Sequence, residues 1–542
     1  MFRDRSLAAS LRAFATIATF LLASDARPGD AQEPLLWGSL KPGPYAVGFR
    51  SLYQFDHTRQ YDPEFTTDPN RPPVHHPRPI LISMWYPAQK TATPPIEYRR
   101  YLDVATDDPK LKTFSERLMR YFHEVICEEV VGKSPATANS AERAALERFL
   151  STKTTAVKNA PVAKGRFPVI IYHPGLGGIP DDNSALFEYL ASHGYVVLSS
   201  VYHSRDADTV RCGGDMKCSF RDMEFLSRYA RELPFVDADQ LGAAGHSYGA
   251  WVILAWAAEP CSSLRAAVSL DSGMEYGKLE ECGYQPLVDH MHENKENIRA
   301  ATIRFASRER DAQFQHLDPY LKYSLRCEAT VSSLKHNDYL THGAVGPALM
   351  PEKWPDPKKS RRTSYDRICE HTLHFLDATL RQDPMAKESL QRSARGEGLD
   401  DGFKFAVRSP APAPPTSWQL AQYVRKHGPE KADEMLRSFP ELPSGWLLGA
   451  PYALLNDGDA KTALTVLNYL VKNNRDEAEV QAMLGQALAM TGDRTGAIAA
   501  YRKAKEMLPS DKTVGNSREI WKYIIERGLK ELNAGELKPK TP

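Results

Sequence analysis

Charge of one sign is what this chain of 542 residues most plainly lacks, with 69 Lys and Arg against 68 Asp and Glu and a formal net charge of +1. Without a basic surplus there is no electrostatic footprint for nucleic acid. Cysteine is sparse: seven residues, at 127, 212, 218, 261, 282, 327 and 369, and no Cys-x-x-Cys pair among them, so the common zinc and dithiol motifs are absent. An odd count leaves at least one thiol without a partner in the same chain. Cys212 and Cys218 bracket Gly213-Gly214 in a polar stretch, and either a local bridge or two separate thiols fits that spacing. Past the N-terminus no apolar run approaches the ~20 residues that a membrane-spanning helix needs. His75-His76 lies in a Pro-rich stretch with no matching ligand spacing, so no metal is expected there.

Hydrophobic residues at 42% and charged residues at 25% describe an ordinary folded protein. The length exceeds the ~250–300 residues at which a single core stops growing, so two folded units are expected. The 39 prolines point to long loops and a linker. At the N-terminus Arg3, Arg5 and Arg12 precede the apolar run Ala13–Ala23, and small-x-Ala sites follow at Ser24-Asp25-Ala26 and Gly29-Asp30-Ala31. This is the pattern of an export signal, residues 1–31, and places the chain as secreted or periplasmic. No transmembrane segment is expected once it is removed.

From about Gly43 to Leu380 strand patterns alternate with helical ones, which predicts a mainly parallel sheet covered on both faces. The strands are read at Ile80–Tyr86, Phe167–Tyr172, Tyr195–Ser199, Leu241–Ala244, Leu264–Leu270, Ile303–Ser307 and Ala329–Leu334. A helix is expected over Asn183–His193, and the polar helical stretch Asp103–Leu150 reads as an insertion or cap. After Leu380 the composition shifts, and Ser409-Pro410-Ala411-Pro412-Ala413-Pro414-Pro415 reads as a semi-rigid spacer. The expected division is a sheet-containing domain over 32–385, a linker over 386–416 and a helical domain over 417–542.

The sharpest local signal is Gly245-His246-Ser247-Tyr248-Gly249, flanked by a strand before it and the Ala-rich apolar segment Ala250–Ala258 after it. That is the strand–turn–helix setting of a nucleophile elbow, in which glycines relieve crowding and the serine hydroxyl stands above the sheet. Serine needs a base to take its proton, and the base needs an orienting carboxylate. In this fold they follow in the order serine, acid, histidine, at the carboxyl ends of later strands. Asp271, at the end of Leu264–Leu270, and His336, after Ala329–Leu334, meet that requirement; His342 and Asp338 are the runners-up. For the oxyanion, the backbone amide of Tyr248 is one donor, and His173-Pro174-Gly175-Leu176-Gly177-Gly178 offers the amide of Leu176 as the second. That glycine cluster has neither the Gly-Lys-Ser/Thr ending nor the spacing of a phosphate loop. Trp251 and Trp256, on the helix after the serine, are expected in the core.

Residues 43–375 resemble the platelet-activating factor acetylhydrolase family of α/β-hydrolases. The resemblance rests on Gly43–Phe49, Trp85-Tyr86-Pro87, the Gly-Leu-Gly loop, His203-Ser204-Arg205-Asp206, Gly-His-Ser-Tyr-Gly, Leu270-Asp271 and His336 before Asn-Asp-Tyr. The acid follows the nucleophile by 24 residues, close to the family spacing. Pro174 is a departure, standing where the family usually has His. The resemblance implies an α/β-hydrolase fold and a calcium-independent serine esterase, without cofactor or metal, that releases short acyl groups from a small-molecule or lipid ester.

In the tail, a period of 34 residues pairs Gly458 with Gly492, Asp459 with Asp493, Ala463 with Ala497 and Leu467 with Tyr501. With Leu484-Gly485, Ala504 and Pro509 this resembles the tetratricopeptide repeat. Trp418–Phe439 reads as a degenerate earlier copy and Ile520–Leu532 as a cap. Such a small all-α repeat domain implies a protein partner. Two other functions use the same residues: a hydrolase-fold scaffold that binds a partner without chemistry, and a peptidase or amidase working through the same serine.

Overall fold

The computed structural model describes residues 36–61, 76–203, 210–259, 262–281, 283–307, 313–356, 360–400, 402–439, 442, 445–512 and 518–534. The expected export segment, His75, Ser204-Arg205-Asp206, Cys261 and Cys282 lie outside them.

Ten strands form one sheet: β1 (Ala46–Tyr61), β2 (His76–Ala88), β3 (Ala156–Lys158), β4 (Phe167–His173), β5 (Val196–Ser199), β6 (Val236–His246), β7 (Ala266–Leu270), β8 (Ala301–Ser307), β9 (Arg326–Val331) and β10 (Phe403–Arg408). Their spatial order is β10-β9-β8-β7-β6-β4-β5-β2-β1-β3. The six strands β9, β8, β7, β6, β4 and β5 run parallel, while β2 is antiparallel to both β5 and β1, and β10 is antiparallel to β9. The chain therefore builds outward from β4 in both directions, and its direction of growth reverses beside β4. Crevices at the carboxyl ends of strands flanking such a reversal are where open α/β sheets place ligands.

The apolar strands are continuous because both faces are covered. All seven residues of β4 are buried. Ile170 and Tyr172 join one apolar cluster, with Val197 and Val268, while Val169 and Ile171 join the opposite one, with Val196 and Leu198. This is the two-residue alternation of a strand, expressed as two cores on the two sides of one sheet. The helix Tyr248–Ala257 is buried along its whole length, which accounts for a sequence apolar on every side. Trp251 and Trp256 pack in the core as expected, and Trp251 Nε1 donates to Ser272 O at 2.9 Å.

One feature departs from the reading of the sequence, and two are made more specific. The stretch 386–416 is not all linker. It holds the end of the helix Pro384–Ala394 and then β10, and among its described residues only the turn at 395–402 and the stretch 409–416 lie outside helix and strand. Strand β10 turns Phe403 and Phe405 into the core, and Arg408 Nε meets Glu328 Oε2 at 2.9 Å, while the buried Arg304 takes Glu328 Oε1 at 2.7 Å. The Asp103–Leu150 stretch is two helices, Lys112–Val131 and Ser140–Leu150, the second opened by a capping box between Asn139 and Glu142. Of the two arrangements left open for Cys212 and Cys218, the structure has separate thiols, as are Cys127, Cys327 and Cys369. Cys212 is buried and itself pairs with His203 in an isolated antiparallel bridge, whereas Cys218 sits in the first turn of Met216–Glu232, where its amide is capped by Asp215 at 3.1 Å.

The elements among the described residues of 417–534 are all helical, with an apolar cluster of their own. The paired positions of the tail repeat carry the same local structure. Gly458 and Gly492 both have left-handed backbones, and Asp459 and Asp493 both cap the next helix, through the amides of Thr462 and Gly496. Gly485 lies against the Tyr501 ring so closely that a Cβ would stand 2.8 Å from it. Among the described residues no helix is long and apolar enough to cross a membrane.

Candidate active site

Strand β6 ends at His246 and the next helix starts at Tyr248, so the whole change of direction falls on Ser247, with φ 52° and ψ −121°. A non-glycine residue there is strained, and such strain persists only where surrounding structure enforces it. The two glycines of the motif are required by contact. A Cβ on Gly245 would stand 2.4 Å from the Gly249 carbonyl carbon, and one on Gly249 would stand 2.0 Å from His173 O. Gly249→Ala is therefore expected to lower stability by about 2 kcal/mol or more, through overpacking against backbone that cannot yield. A thermal melt of the purified variant checks this; an unchanged Tm overturns it.

Asp271 follows the last residue of β7 and is also held at positive φ, 48°. Its Oδ2 lies 2.7 Å from His336 Nδ1. Its Oδ1 accepts from the Ser307 amide at 2.9 Å, at the end of β8, and from the Tyr276 hydroxyl. Burial alone would raise the Asp271 pKa, but the hydrogen bonds from His336, Tyr276 and Ser307 outweigh it and hold the carboxyl below its usual range. A carboxylate at Nδ1 makes that nitrogen the donor and leaves the Nε2 lone pair free. His336 opens the short helical turn His336–Tyr339 after β9, with its side chain 48% exposed.

Ser247 and His336 line one cavity of about 150 Å³, together with Gly175, Leu176, Glu129 and His342. The Ser247 hydroxyl makes no hydrogen bond among the described residues, and serine–histidine contacts of this kind commonly tighten only when substrate arrives. The amide of Tyr248 is the first of its helix and has no acceptor within it. In the loop after β4, the amides of Gly177 and Gly178 are committed to Cys212 O and Gly175 O, at 3.2 and 3.0 Å. The Leu176 amide is not bonded to any described residue.

The runners-up are placed differently. Asp338 accepts from the Lys335 amide at 2.8 Å and stands as an ion pair 3.2 Å from Arg361 Nε, closing its own turn rather than orienting a histidine. His342 Nε2 lies 2.7 Å from Glu129 Oε2 on the cavity wall. Two histidines that the reading of the sequence did not single out support the site. His246 Nε2 donates to His336 O at 2.9 Å, and its ring packs on His336 with centroids 4.6 Å apart. Burial and the neighbouring His336 hold its pKa down to about 3, so it stays a neutral donor. His173, also kept neutral by burial, bonds Pro174 O at 2.8 Å and Ser219 Oγ at 3.0 Å, and stacks on Tyr202. It thereby ties down the loop in which Pro174 departs from the expected pattern. Among the described residues no group of three or more His, Cys, Asp and Glu is placed to hold a metal ion.

The strand order, with its antiparallel second strand and serine elbow after the central parallel strand β6, defines an α/β-hydrolase fold. The family model described as Chlorophyllase matches residues 131–273, a stretch that contains the elbow and Asp271. A Synechocystis protein described as "Putative carboxymethylenebutenolidase" is 27% identical over 115 residues, which are 18% of this chain and 47% of that protein. The chain thus spans about half the length of that curated relative. A solved structure of a ferulic acid esterase from Streptomyces cinnamoneus aligns at 17% identity and a TM-score of 0.41, covering 64% of this chain and 93% of its own.

Proposed function

We propose that this chain is a serine carboxylic-ester hydrolase that releases short acyl groups through an acyl-enzyme, acting outside the cytoplasm as its N-terminal pattern implies. The observation that carries this is the 2.7 Å Asp271–His336 pair with its free Nε2 on the cavity that Ser247 also lines. His336 Nε2 takes the Ser247 proton as Oγ bonds to the ester carbonyl carbon. The carbonyl oxygen becomes an oxyanion, met by the amides of Tyr248 and Leu176. As the tetrahedral species collapses, the C–O bond breaks and the imidazolium protonates the departing alcohol. A water, deprotonated by the same nitrogen, then attacks the acyl group, and the acid leaves with Ser247 regenerated. The small cavity supports short acyl chains, in keeping with an acetylhydrolase-like enzyme. The Chlorophyllase match over 131–273 supports the same reading. Labelling by a fluorophosphonate, together with turnover of a panel of short esters and matched amides, tests it. Labelling with ester turnover is expected; absence of both overturns it, and preference for amides makes the protein an amidase.

The tail is read as a tetratricopeptide-like module for a protein partner. Its core is separate from the sheet's two, and the stretch 409–416 touches the sheet domain through the Ala411 amide, at 2.8 Å from Lys322 O. A chain ending at Arg408 keeps β10 and the Arg408–Glu328 pair. It is expected to fold and to hydrolyse small soluble esters within about threefold of the full chain, because domain boundaries fall where few contacts cross. A change above about tenfold, or aggregation seen by light scattering, would show instead that the helices complete the sheet domain.

A further inference from the structure

The loop after β4 is a turn pinned by two segments distant from it in the chain. Gly175 O accepts from the Gly178 amide at 3.0 Å, and Gly177, between them, has φ 67°. A bond closed over a third residue of positive φ is the pattern of a type II turn, with Leu176 second and Gly177 third. A trans peptide unit is planar, and its C=O and N–H point opposite ways. The Gly175 carbonyl is turned inward onto Gly178, so the Leu176 amide, in the same plane, is turned outward. It is bonded to none of the described residues. The loop adjoins the elbow closely: a Cβ on Gly175 would stand 3.3 Å from the Ser247 Cβ.

The peptide plane that joins Gly177 to Gly178 carries the inward amide on one side and the Gly177 carbonyl on the other. That carbonyl accepts from the hydroxyl of Tyr121, a buried residue of the helix Lys112–Val131. The plane between Leu176 and Gly177 is fixed separately, by the Gly177 amide on Cys212 O at 3.2 Å. Burial raises the Tyr121 pKa, so the hydroxyl keeps its proton and stays a donor. Resting on the esterase reading above, we propose that Tyr121 is the positioning residue of the oxyanion hole, acting through two peptide planes in series. Its hydroxyl sets Gly177 O, the Gly178 amide of that plane sets Gly175 O, and the Leu176 amide of the next plane meets the oxyanion. Hydrogen bonds in a chain polarise one another, so the hydroxyl also strengthens Leu176 as a donor. The gain falls on the transition state, where the negative charge develops, and little of it on the bound ester.

The test measures phenyl acetate hydrolysis by the full chain, with active sites counted by exhaustive fluorophosphonate titration. Tyr121→Phe keeps the ring and removes the hydroxyl. It is expected to lower kcat by about 10- to 100-fold and to leave KM within about threefold. A short alkyl trifluoromethyl ketone supplies a second readout. Ser247 Oγ adds to its carbonyl carbon, the serine proton passes to His336, and the carbonyl oxygen becomes an oxyanion in the hole. Its inhibition constant should rise by the factor that kcat/KM falls. Leu176→Pro deletes the amide itself, and proline suits the second position of a type II turn. It should lower kcat by about 10²- to 10³-fold, and Tyr121→Phe added to it should cost nothing further, since the relay then has no donor to present. Arg148→Ala removes a 3.0 Å bond from the neighbouring helix Ser140–Leu150 to Leu349 O and should leave kcat unchanged. Unchanged kcat in Tyr121→Phe or in Leu176→Pro, additive losses in the double variant, or an equal loss in Arg148→Ala overturns the relay and leaves the esterase standing. Neither labelling nor turnover of any ester by the wild-type protein removes both readings together.

Discussion

Ser247→Ala is expected to reduce ester turnover by about 10⁴- to 10⁶-fold and to abolish fluorophosphonate labelling, with the melting temperature nearly unchanged. The loss is large because the hydroxyl is the only atom removed and its attack opens the reaction. Stability should hold because the geometry of the elbow belongs to the backbone. Ser247 keeps φ at 52° because its amide donates to Leu270 O at 3.1 Å, and because Gly245 and Gly249 let the strand and helix close on each other. Alanine has the same Cβ and inherits the same strain. Ser247→Gly separates the two effects. It should be as inactive as the alanine variant but melt at a higher temperature, since relief of a positive-φ strain of about 1–3 kcal/mol exceeds the entropy that glycine adds to the unfolded chain. Retained wild-type turnover in Ser247→Ala would sink the nucleophile assignment; a glycine variant no more stable than the alanine one would show that the elbow stores no strain.

What was legible in the sequence was whatever is encoded over a few neighbouring residues. The elbow is such a case, because its Gly-x-Ser-x-Gly spacing between a strand and an apolar helix is readable within the segment, although the Gly249 contact itself comes from His173 in the loop after β4. The strands β4, β6, β7 and β8 were legible because burial on both faces makes them short apolar runs, and Asp271 and His336 because each follows such a run. What stayed hidden depends on contacts between distant segments. The Ser307 amide reaches the Asp271 Oδ1 from another strand, 36 residues on. Glu129 comes into the cavity from a helix more than a hundred residues before the elbow. Strand β10 is intermediate. Phe403, Lys404 and Phe405 alternate as an edge strand does, but the signal is short and lies just before a Pro-rich run, so the segment reads as linker.

In the proposed reaction the site divides between groups that react and groups that hold them. His246 would carry no proton there, yet its Nε2–H fixes the carbonyl of His336, and its ring supports one face of that imidazole. The position before the serine in the elbow is therefore placed to orient the proposed base, a link between two motifs that stand ninety residues apart.

His336→Ala is expected to lose about as much turnover as Ser247→Ala, and the double variant no more than either alone, because serine and base act as one unit. Asp271→Asn should lose about 10⁴-fold, and its geometry says why. The Ser307 amide and the Tyr276 hydroxyl both donate to Oδ1, so the introduced amide keeps its oxygen on that side and turns its NH₂ toward His336 Nδ1. Nδ1 must then accept, the ring proton moves to Nε2, and the nitrogen that should receive the Ser247 proton already carries one. Asp271→Ala leaves the tautomer free and removes this block, so it should be no slower than Asp271→Asn despite removing more atoms. His342→Ala is the control on the choice of base. Its ring lies 2.7 Å from Glu129 on the cavity wall, whereas the Asp271 carboxylate is bonded to His336, so the His342 variant should retain turnover and alter substrate preference. Single-turnover rates across these variants, with labelling to count competent sites, decide the assignment. Loss of activity in His342→Ala with retention in His336→Ala would move the base to the Glu129–His342 pair and leave Asp271 a purely structural anchor between β7 and β8.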